Sequence, residues 1–143
     1  MQIDEKEHKI LELLKENSKL TTNQISKKTK IPITTVHNRI KKLEKAGIIK
    51  NYTLKLDFEK LEKPIKAFML VSINQKKISQ EETGKKIKQI SEVESVDIVT
   101  GTTDIIVQAR TKTIGELNDL VTNKLRNVEG VDKTQTMIVL KEI

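Results

Sequence analysis

The sequence predicts an α+β protein in which a helix-turn-helix unit is followed by a unit with the element order β-α-β-β-α-β. Two observations predict this division. Apolar residues in the first 47 positions recur every three or four residues, as on amphipathic helices. From residue 65 onward, apolar runs typical of strands alternate with helical segments that begin at capping boxes.

Positive charge is concentrated in the first part of the chain. The 143 residues carry a formal net charge of +7, and residues 17–50 hold nine Lys and Arg against Glu44 alone. Residues 51–143 are nearly balanced, with 15 basic and 14 acidic residues. A lysine-rich surface would explain a general excess but not this asymmetry. We therefore predict a polyanion partner for the first part and a different task for the rest.

The composition disfavours several classes of function. The chain has no cysteine and only two histidines, so it lacks disulfides, thiolate metal sites and a recognisable nucleophile-and-base pair. Its apolar runs are shorter than a membrane span, and Met1 leads directly into charged residues without a signal peptide. We expect a soluble cytoplasmic protein that is not an enzyme, does not bind membranes, and uses no metal or cofactor.

Capping boxes mark the first two helices. An Asp-x-x-Glu box at Asp4 begins a helix over residues 3–17, and a Thr-x-x-Gln box at Thr21 begins a short helix that ends near Lys28. Residues 29–31 leave room only for a tight turn before the third helix. The second and third helices therefore form a helix-turn-helix.

The third helix has the pattern of a DNA recognition helix. Pro32 fits its first turn, Gly47 fits a left-handed C-terminal cap, and Val36, Ile40 and Leu43 form one apolar stripe. The opposite face carries hydroxyl, amide and imidazole groups first and cations further along, an order that suits base edges and then phosphates. The predicted DNA-binding residues are Thr21, Thr22, Thr34, Thr35, His37, Asn38, Arg39, Lys41 and Lys42.

Two alternatives remain open for these side chains. The polar face of the third helix would look the same if it were simply exposed to solvent. Arg39 lies at the edge of the apolar stripe, where it either pairs with a carboxylate that holds the helix or binds a phosphate.

A strand and a linker are expected between the two units. Apolar and polar residues alternate over residues 48–56, which predicts a strand that forms a wing, a spacer or both. Residues 57–64 are charged and contain a proline, as in a linker. The predicted division is a helix-turn-helix domain over 1–50, strand and linker over 51–64, and a second domain over 65–143.

The sequence of the second domain predicts four strands and two helices. Strands are expected over 67–73, 95–100, 104–110 and 131–140, and the helices begin at capping boxes on Ser79 and Thr113. This order predicts a ferredoxin-like fold, an antiparallel sheet with both helices on one face. The residues expected to be buried by the helices are Ile87, Ile90, Ile114, Leu117, Val121 and Leu125.

The first strand of this sheet predicts an association surface. It is apolar on both faces, through Phe68 and Leu70 on one side and Met69, Val71 and Ile73 on the other. Helices on one face leave the other bare, and an uncovered apolar patch normally marks an interface. We predict a two-fold symmetric homodimer, which would also place two recognition helices about 34–36 Å apart on DNA.

The turn between the second and third strands carries candidate effector-binding residues. The backbone N–H groups around Gly101 and the hydroxyls of Thr102 and Thr103 are able to hold a carboxylate, and Asp104 is able to accept from an ammonium group. Gly and Asp are also ordinary turn residues, so this turn has a purely structural interpretation as well.

Taken together, these residues resemble the Lrp/AsnC family of transcriptional regulators over essentially the whole chain. The resemblance is specific because a G-x-x-D turn in a ferredoxin-like domain accompanies the helix-turn-helix pattern. The matching residues are Ile3, Asp4, Ile10, Leu11, Val36, Arg39, Ile40, Leu43, Glu44, Gly47, Ile49, Asp57, Val96, Thr100, Gly101, Thr102, Thr103, Asp104, Gly130 and Val131.

The resemblance implies a homodimer, often assembled into tetramers or octamers, that binds palindromic DNA and senses an amino acid between its C-terminal domains. Two positions depart from the family pattern. Pro32 stands where a serine is usual, so a hydroxyl cap or phosphate contact is expected to be lost there, and Ser26 stands where alanine is commoner, which is expected to loosen helix packing.

Three functions compete at this point. The first is a sequence-specific transcriptional regulator modulated by an amino acid or related small molecule. The second is an architectural protein that bends or compacts double-stranded DNA without an effector. The third is a metabolite-binding module whose basic half is incidental. A large ratio of specific to random DNA affinity would favour the first.

Overall fold

The structure is a computed structural model that describes residues 3–74 and 78–143. It divides into two compact units, Met1–Leu56 and Asp57–Ile143. No helix in the described ranges combines the length and the apolar content that a membrane crossing needs.

Three helices form the N-terminal unit: α1 (Glu5–Glu16), α2 (Thr22–Thr29) and α3 (Ile33–Lys45). Both predicted capping boxes are confirmed. The side chains of Asp4 and Thr21 accept the N–H group three residues further on, at 2.8 Å and 3.2 Å, and the side chain of that third residue accepts the N–H group of the cap. These boxes satisfy N–H groups that a helix start otherwise leaves without partners.

The helices pack around a small apolar core. Ile10 of α1, Ile25 of α2 and Val36 of α3 are fully buried in it. Leu43 is also fully buried and Ile40 is half-buried, so the predicted apolar stripe of α3 is confirmed. The stripe fixes which face of α3 turns outward.

Both ends of α3 follow from the sequence, with a shift of one residue at the start. Pro32 occupies the N-cap position, where its carbonyl accepts the N–H of Val36 at 3.0 Å, and it supplies no side-chain cap. Gly47 has φ +70°, the left-handed conformation predicted for it, and its N–H donates to the carbonyl of Glu44 at 2.9 Å. Ser26 donates to the carbonyl of Ile31 at 2.5 Å, so its hydroxyl ties α2 to the turn before α3.

The prediction of a strand over residues 48–56 was wrong. This segment has no regular secondary structure. A strand needs a hydrogen-bonded neighbour, and no described strand pairs with this segment. Its alternating apolar side chains are left exposed, at 49% for Tyr52, 69% for Leu54 and 45% for Leu56.

The C-terminal unit contains one four-stranded antiparallel sheet in the order β2-β3-β1-β4. The predicted β-α-β-β-α-β order and α+β class are confirmed. The elements are β1 (Ile65–Ile73), α4 (Gln80–Lys88), β2 (Val93–Ile98), β3 (Ile105–Thr111), α5 (Ile114–Asp119) and β4 (Val131–Ile138).

The core of this unit lies between the sheet and the helices. Alternate residues of the two central strands are fully buried, among them Met69 of β1 and Val107 of β3. Ile87 of α4 and Leu117 of α5 pack in the same cluster, as predicted. The helices therefore cover one face of the sheet, and the face that carries Phe68 is turned away from this core.

The prediction that Ile114 of α5 is buried was wrong, because this residue is 56% exposed. Leu120 and Val121 follow Leu117 by three and four residues, so they join it in the core, and the helix continues there as a π-helical turn over Leu120–Lys124. The buried stripe is therefore centred near Leu117, and Ile114 lies about 60° to one side of it.

Candidate DNA-binding surface and effector site

The outward face of α3 presents most of the predicted DNA-binding side chains. Thr34, His37 and Asn38 are exposed along its first turns, and Lys41 follows on the same face. Thr35 is half-buried. Lys41 forms no ion pair with any described residue, so its ammonium group is available to a phosphate.

Two predicted DNA-binding cations are held by a buried carboxylate. Glu7 of α1 is fully buried, and its Oε1 accepts from Arg39 Nη1 at 2.9 Å and from Lys42 Nζ at 3.1 Å. Its Oε2 accepts the N–H of Asp4 at 3.0 Å. Arg39 also contacts the Asp4 carboxylate. This cluster fastens α1 to the recognition helix through charged hydrogen bonds.

The cluster keeps Glu7 ionised. Its pKa falls to about 2, mainly because the carboxylate accepts the Asp4 N–H, and further because Arg39 and Lys42 donate to it. Of the two roles proposed for Arg39, the structure contains the carboxylate pair. Lys42 keeps a half-exposed side chain, but Glu7 already balances part of its charge.

The sequence contained a signal for Glu7 that the capping box concealed. Glu7 precedes Ile10 by three residues and Leu14 by seven, which puts all three on one helical face. A carboxylate on a buried stripe requires a cationic partner, and Arg39 at the edge of the α3 stripe is such a partner.

The two predicted threonines of α2 have different local roles. Thr21 is the N-cap, and its hydroxyl accepts the N–H of Gln24 at 3.2 Å. Thr22 is the first helical residue and is half-buried.

The predicted effector turn lies in the loop between β2 and β3. Gly101 has φ +121°, and no atom lies within 4 Å of a Cβ built there. Asp104, by contrast, is hydrogen-bonded to neighbouring elements. The Asp104 carboxylate accepts the N–H of Ile73 at 2.9 Å and the side-chain amide of Gln80 at 2.9 Å. Its backbone N–H donates to Val71 at 3.0 Å. Asp104 thus fastens the turn to the end of β1, where the β1–β4 register shifts.

Thr102 and Thr103 lie at a polar cavity of about 320 Å³ beside this turn. The other described residues that line it come from β1 and β4, and Gly101 and Asp104 are not among them. Neighbouring strands bring these residues together, because Leu70 pairs with Gln135 and Ser72 with Lys133. The sequence did not reveal the β1–β4 register, and this is why Ser72, Lys133, Thr134 and Gln135 were missed.

The sheet face opposite the helices combines an apolar centre with a charged end. Met137 is 43% exposed there beside the half-buried Phe68. Arg110 at the other end is buried beneath the ring of Phe58, 3.9 Å from its guanidinium carbon, and donates to Glu142 at 2.9 Å and 3.0 Å. Phe58 lies in the segment predicted as a linker, which packs here as part of the C-terminal unit.

Two family models match the chain. The model of the winged helix-turn-helix DNA-binding domain matches residues 3–50, and that of the Lrp/AsnC ligand binding domain matches residues 66–143. The chain belongs to the Lrp/AsnC family. The resemblance noted in the sequence is confirmed, and the protein is a DNA-binding transcriptional regulator rather than an enzyme.

Individual relatives extend this match over nearly the full length. The HTH-type transcriptional regulator PF1734 of Pyrococcus furiosus is 40% identical over 141 residues, which cover 99% of this chain and 93% of that protein. The regulator FL11 of the same organism is 37% identical over 139 residues, which cover 97% and 90%. The solved structure of the regulator NMB0573 of Neisseria meningitidis with L-Met has a TM-score of 0.92 at 32% identity and covers 99% and 92%.

Proposed function

We propose that this Lrp/AsnC regulator is a cytoplasmic homodimer that binds a palindromic operator and responds to an amino acid. The observation that carries the DNA-binding part is the exposed polar face of α3. In this proposal Thr34, His37 and Asn38 contact base edges, and Lys41 contacts a phosphate. Further DNA contacts come from Thr21, Thr22 and Thr35. Positive charge also comes from Arg39 and Lys42, to the extent that the Glu7 carboxylate does not neutralise it.

The proposed dimer forms through the uncovered face of the C-terminal sheet. Phe68 and Met137 lie together on that face, and Leu70 and Ile106 continue the apolar surface across β1 and β3. A two-fold axis on this face buries the patch in both copies at once. Tetramers or octamers would require further contacts between such dimers.

The proposed effector site is the turn that contains Gly101, Thr102, Thr103 and Asp104. The threonine hydroxyls at the cavity and the backbone N–H groups of the turn are donors for a carboxylate. Each Asp104 oxygen accepts one hydrogen bond within the domain, which leaves a lone pair on each for an ammonium group. That NMB0573 was solved with L-Met supports an amino acid as the effector.

Gel-shift titration at fixed salt tests the DNA-binding part. We expect Lys41→Glu to weaken binding to every duplex, because it reverses a charge on the proposed phosphate-contacting side. Lys63→Glu in the C-terminal unit is the charge-matched control and is expected to bind as the wild type does. Equal affinity of the two variants would contradict the assignment of α3.

Two further measurements test the assembly and the effector. Analytical ultracentrifugation at micromolar concentration is expected to find a dimer or a multiple of it, and isolated monomers would contradict the proposed interface. A thermal-melting screen of the twenty amino acids is expected to find one that stabilises the protein.

If the protein binds random duplexes as tightly as selected ones, the architectural function replaces the regulatory one.

A further inference from the structure

The cavity beside the β2–β3 turn has a mostly polar lining. Its volume of about 320 Å³ is at the lower end of the range for small-molecule sites, which is about 300–1,000 Å³. One lining side chain, Leu70, is aliphatic. The others offer hydroxyls, an amide and an ammonium group: Ser72, Thr102, Thr103, Lys133, Thr134 and Gln135.

Lys133 sets the charge of this cavity. It is exposed at the start of β4, and within residues 3–74 and 78–143 it forms no ion pair. None of the described lining residues is acidic. Asp104 of the turn does not line the cavity; its carboxylate accepts from Ile73 and Gln80, and its remaining lone pairs are the ones proposed above for the ammonium group of the effector. Among the described lining residues, Lys133 is therefore a cation that remains for a further acidic group of the ligand once Asp104 takes the ammonium group.

We propose that the effector of this regulator is a dicarboxylic amino acid, of the glutamate or aspartate type. This inference rests on the effector site proposed above and names the class of molecule that it takes. One carboxylate pairs with Lys133, and the second accepts from threonine and serine hydroxyls. With its ammonium group at Asp104, each charged group of such a ligand has a partner in the site.

The same lining disfavours other amino acids. An aliphatic or thioether side chain would find one apolar partner, Leu70, and would cover hydroxyl groups that then lose their hydrogen bonds to water. A lysine or arginine effector would place a second cation beside Lys133. Glutamine would keep the hydrogen bonds but forgo one charged pair, so it is the most informative comparison for glutamate.

The test measures binding of glutamate, aspartate, glutamine, methionine and lysine to the full chain by calorimetry. We expect glutamate or aspartate to bind best, and Lys133→Met to weaken that ligand by about tenfold or more while glutamine affinity changes little. Lys141→Met is the matched control, because Lys141 is an exposed lysine beyond the opposite end of β4. It is expected to leave all affinities within twofold.

The outcomes separate this inference from the proposed function. If methionine or another apolar amino acid binds more tightly than both acids, the dicarboxylate assignment is wrong while the amino-acid effector stands. If Lys133→Met and Lys141→Met bind the acidic ligand equally, the cavity is not the site. If none of the five binds and the thermal-melting screen of all twenty finds no ligand, the proposed amino-acid effector itself fails.

Discussion

Replacing Gly130 with alanine tests how closely α4 approaches the start of β4. Gly130 has φ +93°, and a Cβ built there would lie 2.2 Å from Ile78 Cγ2 and 2.5 Å from Thr83 Oγ1. Both distances are far inside van der Waals contact. Thr83 is itself buried and donates to the carbonyl of Glu129 at 3.3 Å, so it has little freedom to move aside.

Two costs contribute to the expected destabilisation by Gly130→Ala. A side chain at this positive φ costs about 1–3 kcal/mol, and forcing an extra methyl group into packed surroundings costs about 1–3 kcal/mol more. For a unit of this size, even the lower end lowers the melting temperature by at least about 8 °C. Thermal or urea unfolding followed by circular dichroism measures the change.

Two other glycines provide matched controls for this variant. Gly101 has φ +121° but no atom within 4 Å of a built Cβ, so Gly101→Ala carries the backbone cost of about 1–3 kcal/mol alone. Gly115 lies in α5, its nearest neighbour is 3.6 Å away, and alanine there is expected to stabilise by up to about 1 kcal/mol. If Gly130→Ala proves as stable as Gly115→Ala, the described packing of α4 on β4 is wrong.

Five further variants address the DNA-binding surface and the effector turn. Glu7→Gln is expected to destabilise the N-terminal unit at neutral pH. Because the pKa of Glu7 is lowered from 4.5 to about 2, the stability that its carboxylate contributes is complete above pH 4.5 and is lost as the pH falls towards 2. The unfolding curves of the two proteins should therefore converge in acid. Lys41→Ala should lower the slope of log binding constant against log salt concentration by about 0.9 per protomer. Lys42→Ala should lower it by less, because Lys42 already donates to the Glu7 carboxylate. Equal slopes for the two variants would argue against this difference. Asn38→Ala should relax base preference with little change for random duplexes, which a selection experiment measures directly. Asp104→Ala should abolish the ligand response and lower the melting temperature while basal DNA binding persists, and an unaltered ligand response would remove Asp104 from the site.

Local signals allowed much of the fold to be predicted. Capping boxes at Asp4, Thr21 and Ser79 fixed helix starts because each depends on residues three positions apart. The same locality explains why Gly47 was correctly assigned to a left-handed cap. The outward face of α3 followed from these signals and from the periodicity of its apolar stripe.

The errors and omissions involve pairings between distant residues. The alternation over residues 48–56 predicted a strand, but alternation does not supply the hydrogen-bonded neighbour that a strand requires. The contact of Glu7 with Arg39 spans 32 positions. The polar cavity depends on the register that sets Ser72 beside Lys133, and the hydrophobic pattern of β1 and β4 does not specify it.

Selection of bound duplexes from a random DNA library most directly tests the central claim, that two copies of α3 read DNA through their exposed polar faces. We predict an inverted repeat whose half-site centres lie about 10–10.5 base pairs apart or at a multiple of this spacing, bound at least about 10³-fold more tightly than random duplex. Recovery of no common motif, or of a motif that Asn38→Ala selects unchanged, would contradict it.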